Sequence, residues 1–94
     1  MKWLEIIELR SVGKNRKFLE QDLKSLIEEL NKETEQRTTK VYSRVVVDSD
    51  FSIHLLHDSK EADINGSPLG FQLVSTLKEF GLINHSVWVE QFNK

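Results

Sequence analysis

Residues 41–57 read VYSRVVVDSDFSIHLLH. Two runs rich in β-branched and aromatic residues, 41–47 and 51–57, flank the turn formers Asp48, Ser49 and Asp50. Three turn residues between two strands predict an antiparallel hairpin. Strand side chains alternate between faces. Val41, Ser43, Val45 and Val47 therefore share one face, with Tyr42, Arg44 and Val46 on the other. In the second arm Phe51, Ile53 and Leu55 oppose Ser52, His54 and Leu56.

Upstream of the hairpin, Trp3 to Arg10 (WLEIIELR) reads as a strand ahead of Gly13. It is apolar on both sides, with Leu4 and Ile6 on one face and Trp3, Ile7 and Leu9 on the other, as expected of a central strand covered twice. Asn15 is a plausible N-cap for a helix running to about Glu35. Phe18, Leu19, Leu23, Leu26, Ile27 and Leu30 form its single apolar stripe. Glu20, Lys24, Glu28 and Lys32 step along the outer face at i,i+4. Downstream, 58–66 is polar and contains Asn65-Gly66, a loop signal. Ser67 then caps a second helix that has Pro68 at its first position. Its stripe is Gly70, Leu73, Val74, Leu77 and Phe80, and Gly81 with Leu82 suggests a Schellman stop. His85 to Phe92 reads as the last strand, with Val87 and Val89 on one face and Ser86, Trp88 and Glu90 on the other.

Strand, helix, strand, strand, helix, strand in 94 residues describes one α+β domain over 1–94. Two helices with one stripe each pack most economically on one face of a four-stranded antiparallel sheet. That is the ferredoxin-like βαββαβ arrangement with right-handed crossovers, which makes the first and third strands central. The other sheet face then carries Tyr42, Arg44, Val46, Ser52, His54, Leu56 and Trp88, plus Leu4 with Ile6 or Trp3 with Ile7. So much apolar surface predicts a cover, and the simplest one is a second copy packed face to face into a dimeric barrel. A chain this short buries a modest fraction of its surface, which also points to reinforcement by a homodimer.

Composition excludes several classes. There is no cysteine, so disulfides and thiolate-held metals are out. The net charge is -2, with 9 basic and 8 acidic residues through Lys40 and 4 and 7 after it. Neither part is basic enough for a phosphate-backbone partner, so no nucleic acid is expected. No apolar run approaches the ~18 residues of a membrane span, and Glu5 falls too early for a signal-peptide core. A cytoplasmic protein with no membrane partner is the expectation. His54 and His57 are three apart on a strand and point to opposite faces, and Asp48, Asp50 and Asp58 show no ligand spacing, so no metal is expected. No cofactor is expected either.

The element order, the domain length, and a second helix closed by Glu79-Phe80-Gly81-Leu82 before a Trp-bearing strand resemble the dimeric ferredoxin-like α+β barrel superfamily. The nearest likeness is to antibiotic biosynthesis monooxygenase-like domains and their uncharacterised relatives. The resemblance covers nearly the whole chain and rests on topology and pattern. It implies pairing through the sheets, and for some members cofactor-independent oxygenation of aromatic substrates. In the haem-degrading branch an Asn, a Trp and a His come from separate elements. Here Asn84, His85 and Trp88 share one short segment, so none is carried over as catalytic.

On the residues themselves, the expected catalytic set is His54 as a base titrating near neutrality, Arg44 as holder of developing negative charge, and Tyr42 as phenol donor. Trp88 and Asn84 are the expected ligand-binding residues, Trp88 as a stacking surface for a small aromatic ligand. The competing reading is a satisfied polar network inside a dimer interface, where Tyr, Trp and Arg are enriched anyway. Lys14, Arg16 and Lys17 place three cations at a helix N-terminus, which makes sense if an anion binds there; a solvated basic turn is the simpler account. Two function classes follow. One is a cofactor-independent monooxygenase-like enzyme acting on an aromatic or quinone-like molecule. The other is a non-catalytic dimerisation or small-ligand-sensing module.

Overall fold

A computed structural model describes residues 1–11, 16–33, 37–46 and 49–92, without the side chains at 16–18, 30, 33 and 37. The elements are β1 (Lys2–Ser11), α1 (Arg16–Glu33), β2 (Arg37–Ser43), β3 (Asp50–Asp58), α2 (Pro68–Leu77) and β4 (Gly81–Val89). They form one four-stranded sheet of order β2-β3-β1-β4 with every pairing antiparallel. This is the ferredoxin-like α+β arrangement, with β1 and β3 central. Among the described residues no helix is long and apolar enough to cross a membrane.

The parity of β1 settles which residues face the helices. Trp3, Glu5, Ile7, Leu9 and Ser11 are buried, so Leu4 and Ile6 join the open face. Ile7 pairs Ile53 and sits in a core with Leu9, Leu19, Leu23, Phe51, Leu55, Leu73 and Leu77. Of the α1 stripe, Leu19 and Leu23 are buried while Leu26 and Ile27 pack partly against that core. Phe18 and Leu30 have no described side chains, and the Asn15 cap lies outside the described residues. At α2 the cap is as read: Ser67 is extended (φ -77°, ψ 162°), its side chain accepts from Gly70 N, and Pro68 opens the helix.

Three boundaries differ from the sequence reading. The first concerns β2, which ends at Ser43 with Val41 opposite Ile53, so Val45 and Val46 project from the hairpin tip, Val45 at 98% exposure. The tip is tied at its base by Arg44 N donating to Asp50 O. At the other end Asn31 of α1 clamps β2, its amide donating to Thr39 O (3.0 Å) and accepting from Thr39 N (2.8 Å). The slip relative to a three-residue turn is four residues. An even slip preserves facing, so Tyr42 stays on the open side.

The second difference is that β4 starts at Gly81 and stops at Val89, which leaves Phe92 exposed beyond it. Third, no Schellman stop forms. Among the described residues Gly66 is the positive-φ glycine (φ 92°), the α2 cap is right-handed Lys78, and Leu82 is exposed. Gly81 instead begins the pairing with Ser11, and a Cβ there would meet the Arg10 carbonyl oxygen at 2.0 Å. The glycine is needed for close backbone approach, not for a left-handed turn.

Candidate functional site

The open face is built in rows by the sheet register. Leu56, Leu4 and Trp88 lie side by side across β3, β1 and β4, with Thr38 opposite Leu56 on β2. The next row is Lys40, His54, Ile6 and Ser86, and the next Tyr42, Ser52, Glu8 and Asn84. Arg10 and Leu82 close it beside Asp50 and Arg44. One end of the face is thus apolar and the other polar. Trp88 is 58% exposed, and Leu56, Tyr42 and Leu82 are also exposed.

The five expected open-face residues share this surface without converging. Tyr42 lies against His54, ring centroids 4.7 Å apart. His54 Nε2 contacts Ser52 Oγ at 3.0 Å. Arg44 is held at the far end by Asp50 (3.3 Å). Asp50 is four residues from His54 on the same strand, about 13 Å at the usual rise. His54 and the Asp50-held Arg44 guanidinium therefore stand apart along the strand, with Tyr42 and Ser52 in the row between them. Trp88 donates Nε1–H to Ser86 Oγ (2.9 Å), and Asn84 donates to Glu8 (3.4 Å). Trp88 is two strands and one row from His54. Lys14 lies outside the described residues, as do the side chains of Arg16 and Lys17.

The polar end forms a concavity of about 660 Å³ lined by Glu8, Arg10, Tyr42, Arg44, Ser52 and Asn84, among others. This is the volume range of small-molecule sites. Arg10 and Arg44 both lean on Asp50, at 3.6 and 3.3 Å. Two cations sharing one anion leave net positive charge on that side, with Glu8 as the negative counterpart.

A second cluster, not anticipated from the sequence, lies on the opposite face beneath α2. Glu5 is 0% exposed. Its Oε1 accepts from Ser67 N and from His85 Nε2, both at 2.9 Å. Its Oε2 accepts from Ser67 Oγ (2.5 Å) and His57 Nε2 (2.6 Å). Three strands and the α2 N-terminus meet at this carboxylate. Burial alone pushes the Glu5 carboxyl up, but hydrogen bonds from the Ser67 side chain and backbone, His57 and His85 outweigh it and hold the group below its ordinary value. Ionised Glu5 is an acceptor only, so both imidazoles present Nε2–H to it. Trp3 stacks on His57 at 4.1 Å, and Phe71 meets His85 edge-on at 6.2 Å. Gly66 and Gly70 leave the room: a Cβ on Gly70 would sit 2.1 Å from Glu5 Oε1.

One signal for this cluster was present in the sequence. Glu5 has the same strand parity as Trp3, Ile7 and Leu9, the heavier apolar side of β1. Its donors left no local trace, being 52, 62 and 80 residues away. Among the described residues no group of three or more acidic or histidine side chains has the geometry to hold a metal ion. Comparison with protein-family models, with curated proteins and with solved structures yields no match for this chain.

Proposed function

We propose that this domain is a homodimeric small-ligand-binding module that pairs through its open sheet face and holds its ligand in the concavity beside Tyr42, Arg44 and Asn84. The observation that carries this reading is the division of the open face, with the apolar row Leu56–Leu4–Trp88 at one end and a concavity of about 660 Å³ at the other. An apolar row across three strands favours burial, and the polar end beside it keeps a solvated, ligand-sized space.

A second copy suits this face in size and charge. Four strands about 4.8 Å apart and nine residues long project roughly 550 Å². Side-chain relief raises the accessible area toward the roughly 800 Å² per partner of a standard interface. Lys2, Arg10, Lys40 and Arg44 alternate with Glu8, Asp50 and Asp58 across it. Interleaved signs allow one surface to complement itself about a two-fold axis.

The separation of His54 from Arg44 favours binding over chemistry on this face. The enzyme reading, cofactor-independent oxygenation of an aromatic or quinone-like molecule with His54 as base, draws support from the Tyr42–His54 ring contact, which sets a phenol beside the imidazole. Analytical ultracentrifugation with Leu56→Asp and Trp88→Ala tests the dimer. The wild type is expected to sediment as a dimer and both variants as folded monomers. A wild type that stays monomeric up to its solubility limit refutes the pairing. Trp88 fluorescence during titration with planar ligands tests the site, and a ligand consumed in the presence of oxygen would favour the enzyme instead.

A further inference from the structure

The Glu5 cluster does more than fasten α2 to the sheet. Both Nε2 atoms converge on one carboxylate, so the two Nδ1 atoms diverge and point away from it. Among the described residues neither Nδ1 has a hydrogen-bond partner. Among the described residues the sealed side-chain polar atom without a partner is Thr39 Oγ1, not an imidazole nitrogen. Both Nδ1 lone pairs thus reach solvent, on side chains 10% (His57) and 16% (His85) exposed. Divergent nitrogens cannot close on a single ion. What the arrangement does supply is the orientation of a histidine base: a buried carboxylate holds one N–H, fixes the tautomer and ring plane, and balances the charge when the other nitrogen takes a proton.

We infer that His85 is a proton-transfer base of a second site, on the helix-covered face, with Glu5 as its positioning residue. His85 is favoured over His57 by its surroundings. Trp3, which is buried, stacks on the His57 ring, whereas His85 is bordered by half-exposed Phe71 and the side-chain-free Gly66 and Gly70. An imidazole packed on its Nε2 side by Gly66 and Gly70, with the exposed Phe71 ring beside it, fits a neutral, ring-bearing carbon acid. The neutrality follows from Glu5, whose anion already occupies the site and repels another. In the step, the substrate C–H proton passes to His85 Nδ1 and its electron pair stays with the substrate. The imidazolium is balanced by Glu5 and returns the proton to product or to water. No oxidant or metal is required. This site is independent of the dimer and of the open face.

The test uses nitrobenzisoxazole, a neutral ring compound that opens when a base removes its C–H proton: the electron pair forms the nitrile, the N–O bond breaks, and a coloured phenolate is released. The full chain is expected to turn it over faster than free imidazole at equal concentration. In Glu5→Gln, kcat should fall at least about tenfold with KM unchanged, in line with a general base that has lost its orienting carboxylate. In Phe71→Ala, which alters a half-exposed side chain, KM should rise while kcat holds. Heteronuclear NMR of the wild-type imidazole nitrogens should show neutral His57 and His85 as the Nε2–H form. A rate no better than free imidazole, an Nδ1–H form at His85, a folded Glu5→Gln with wild-type kcat, or an unchanged KM in Phe71→Ala each overturns the assignment. The nitrogen spectra and Phe71→Ala stand even if Glu5→Gln does not fold.

Discussion

Replacing Glu5 by Gln is the sharpest probe of the fold's energetics. The two shapes are nearly identical, so packing around Ile7 and Leu73 is unchanged and only the chemistry of one terminal atom differs. The carboxylate accepts four hydrogen bonds, two at each oxygen. A Gln oxygen can keep two of them. Its NH2 would face two donors, and an imidazole can relieve one conflict by moving its proton to Nδ1. Hydrogen bonds to a charged group contribute about 1.5–3 kcal/mol each, so the loss should be about 2–4 kcal/mol in all. For a domain of this size each kcal/mol shifts Tm by about 4–8 °C, so a fall of at least about 8 °C is expected.

Acid adds an independent signature. The folded Glu5 pKa lies below the ordinary value of 4.5, so its stabilisation is complete above that value and is lost as pH falls through it toward the depressed folded value. The wild type should lose stability over that window, and Glu5→Gln should lose correspondingly less there. Urea unfolding at several pH values, followed by fluorescence and at one fixed protein concentration because a dimer would make stability depend on it, measures both. A variant within about 0.5 kcal/mol of wild type at neutral pH, with an unaltered acid profile, would show that the four bonds do not hold α2 to the sheet.

Other substitutions probe the same contacts from different sides. Ser67→Ala removes the α2 cap and a Glu5 donor together, and should cost about 2 kcal/mol in denaturant unfolding. Gly70→Ala drives a Cβ to within 2.1 Å of Glu5 Oε1 and 3.0 Å of its Cδ; because that side chain is clamped, overpacking of about 1–3 kcal/mol is expected in thermal melts. Thr39→Val should go the other way. Thr39 is 2% exposed and its Oγ1 has no partner among the described residues, so removing the hydroxyl should leave stability unchanged or raise it by up to about 1 kcal/mol, read as a higher urea midpoint.

The gap between sequence and structure follows the range of the interactions. The Ser67-Pro68 start of α2 was legible because a cap is made by residues three apart. The Leu19, Leu23, Leu26, Ile27 stripe was legible because helical period is local. The β2 boundary was misplaced because Val45 and Val46 have high strand propensity, yet a strand exists only where a partner pairs with it, and the partner strand starts at Asp50. Gly81 looked like a helix stop, but its neighbour in space is Arg10, seventy-one residues earlier, which no local rule can see.

By itself, then, the order of residues determined the element types, their succession, the alternation of faces within each strand, and through these the four-stranded sheet with helices on one side. All of these follow from backbone periodicity and nearest-neighbour chemistry. Only the tertiary structure decided which side of β1 turns inward, and with it the burial of a carboxylate at Glu5. An ionised group can be buried only where several donors converge on it. Here they arrive from β3, β4 and the head of α2, a meeting that exists in three dimensions and nowhere along the chain.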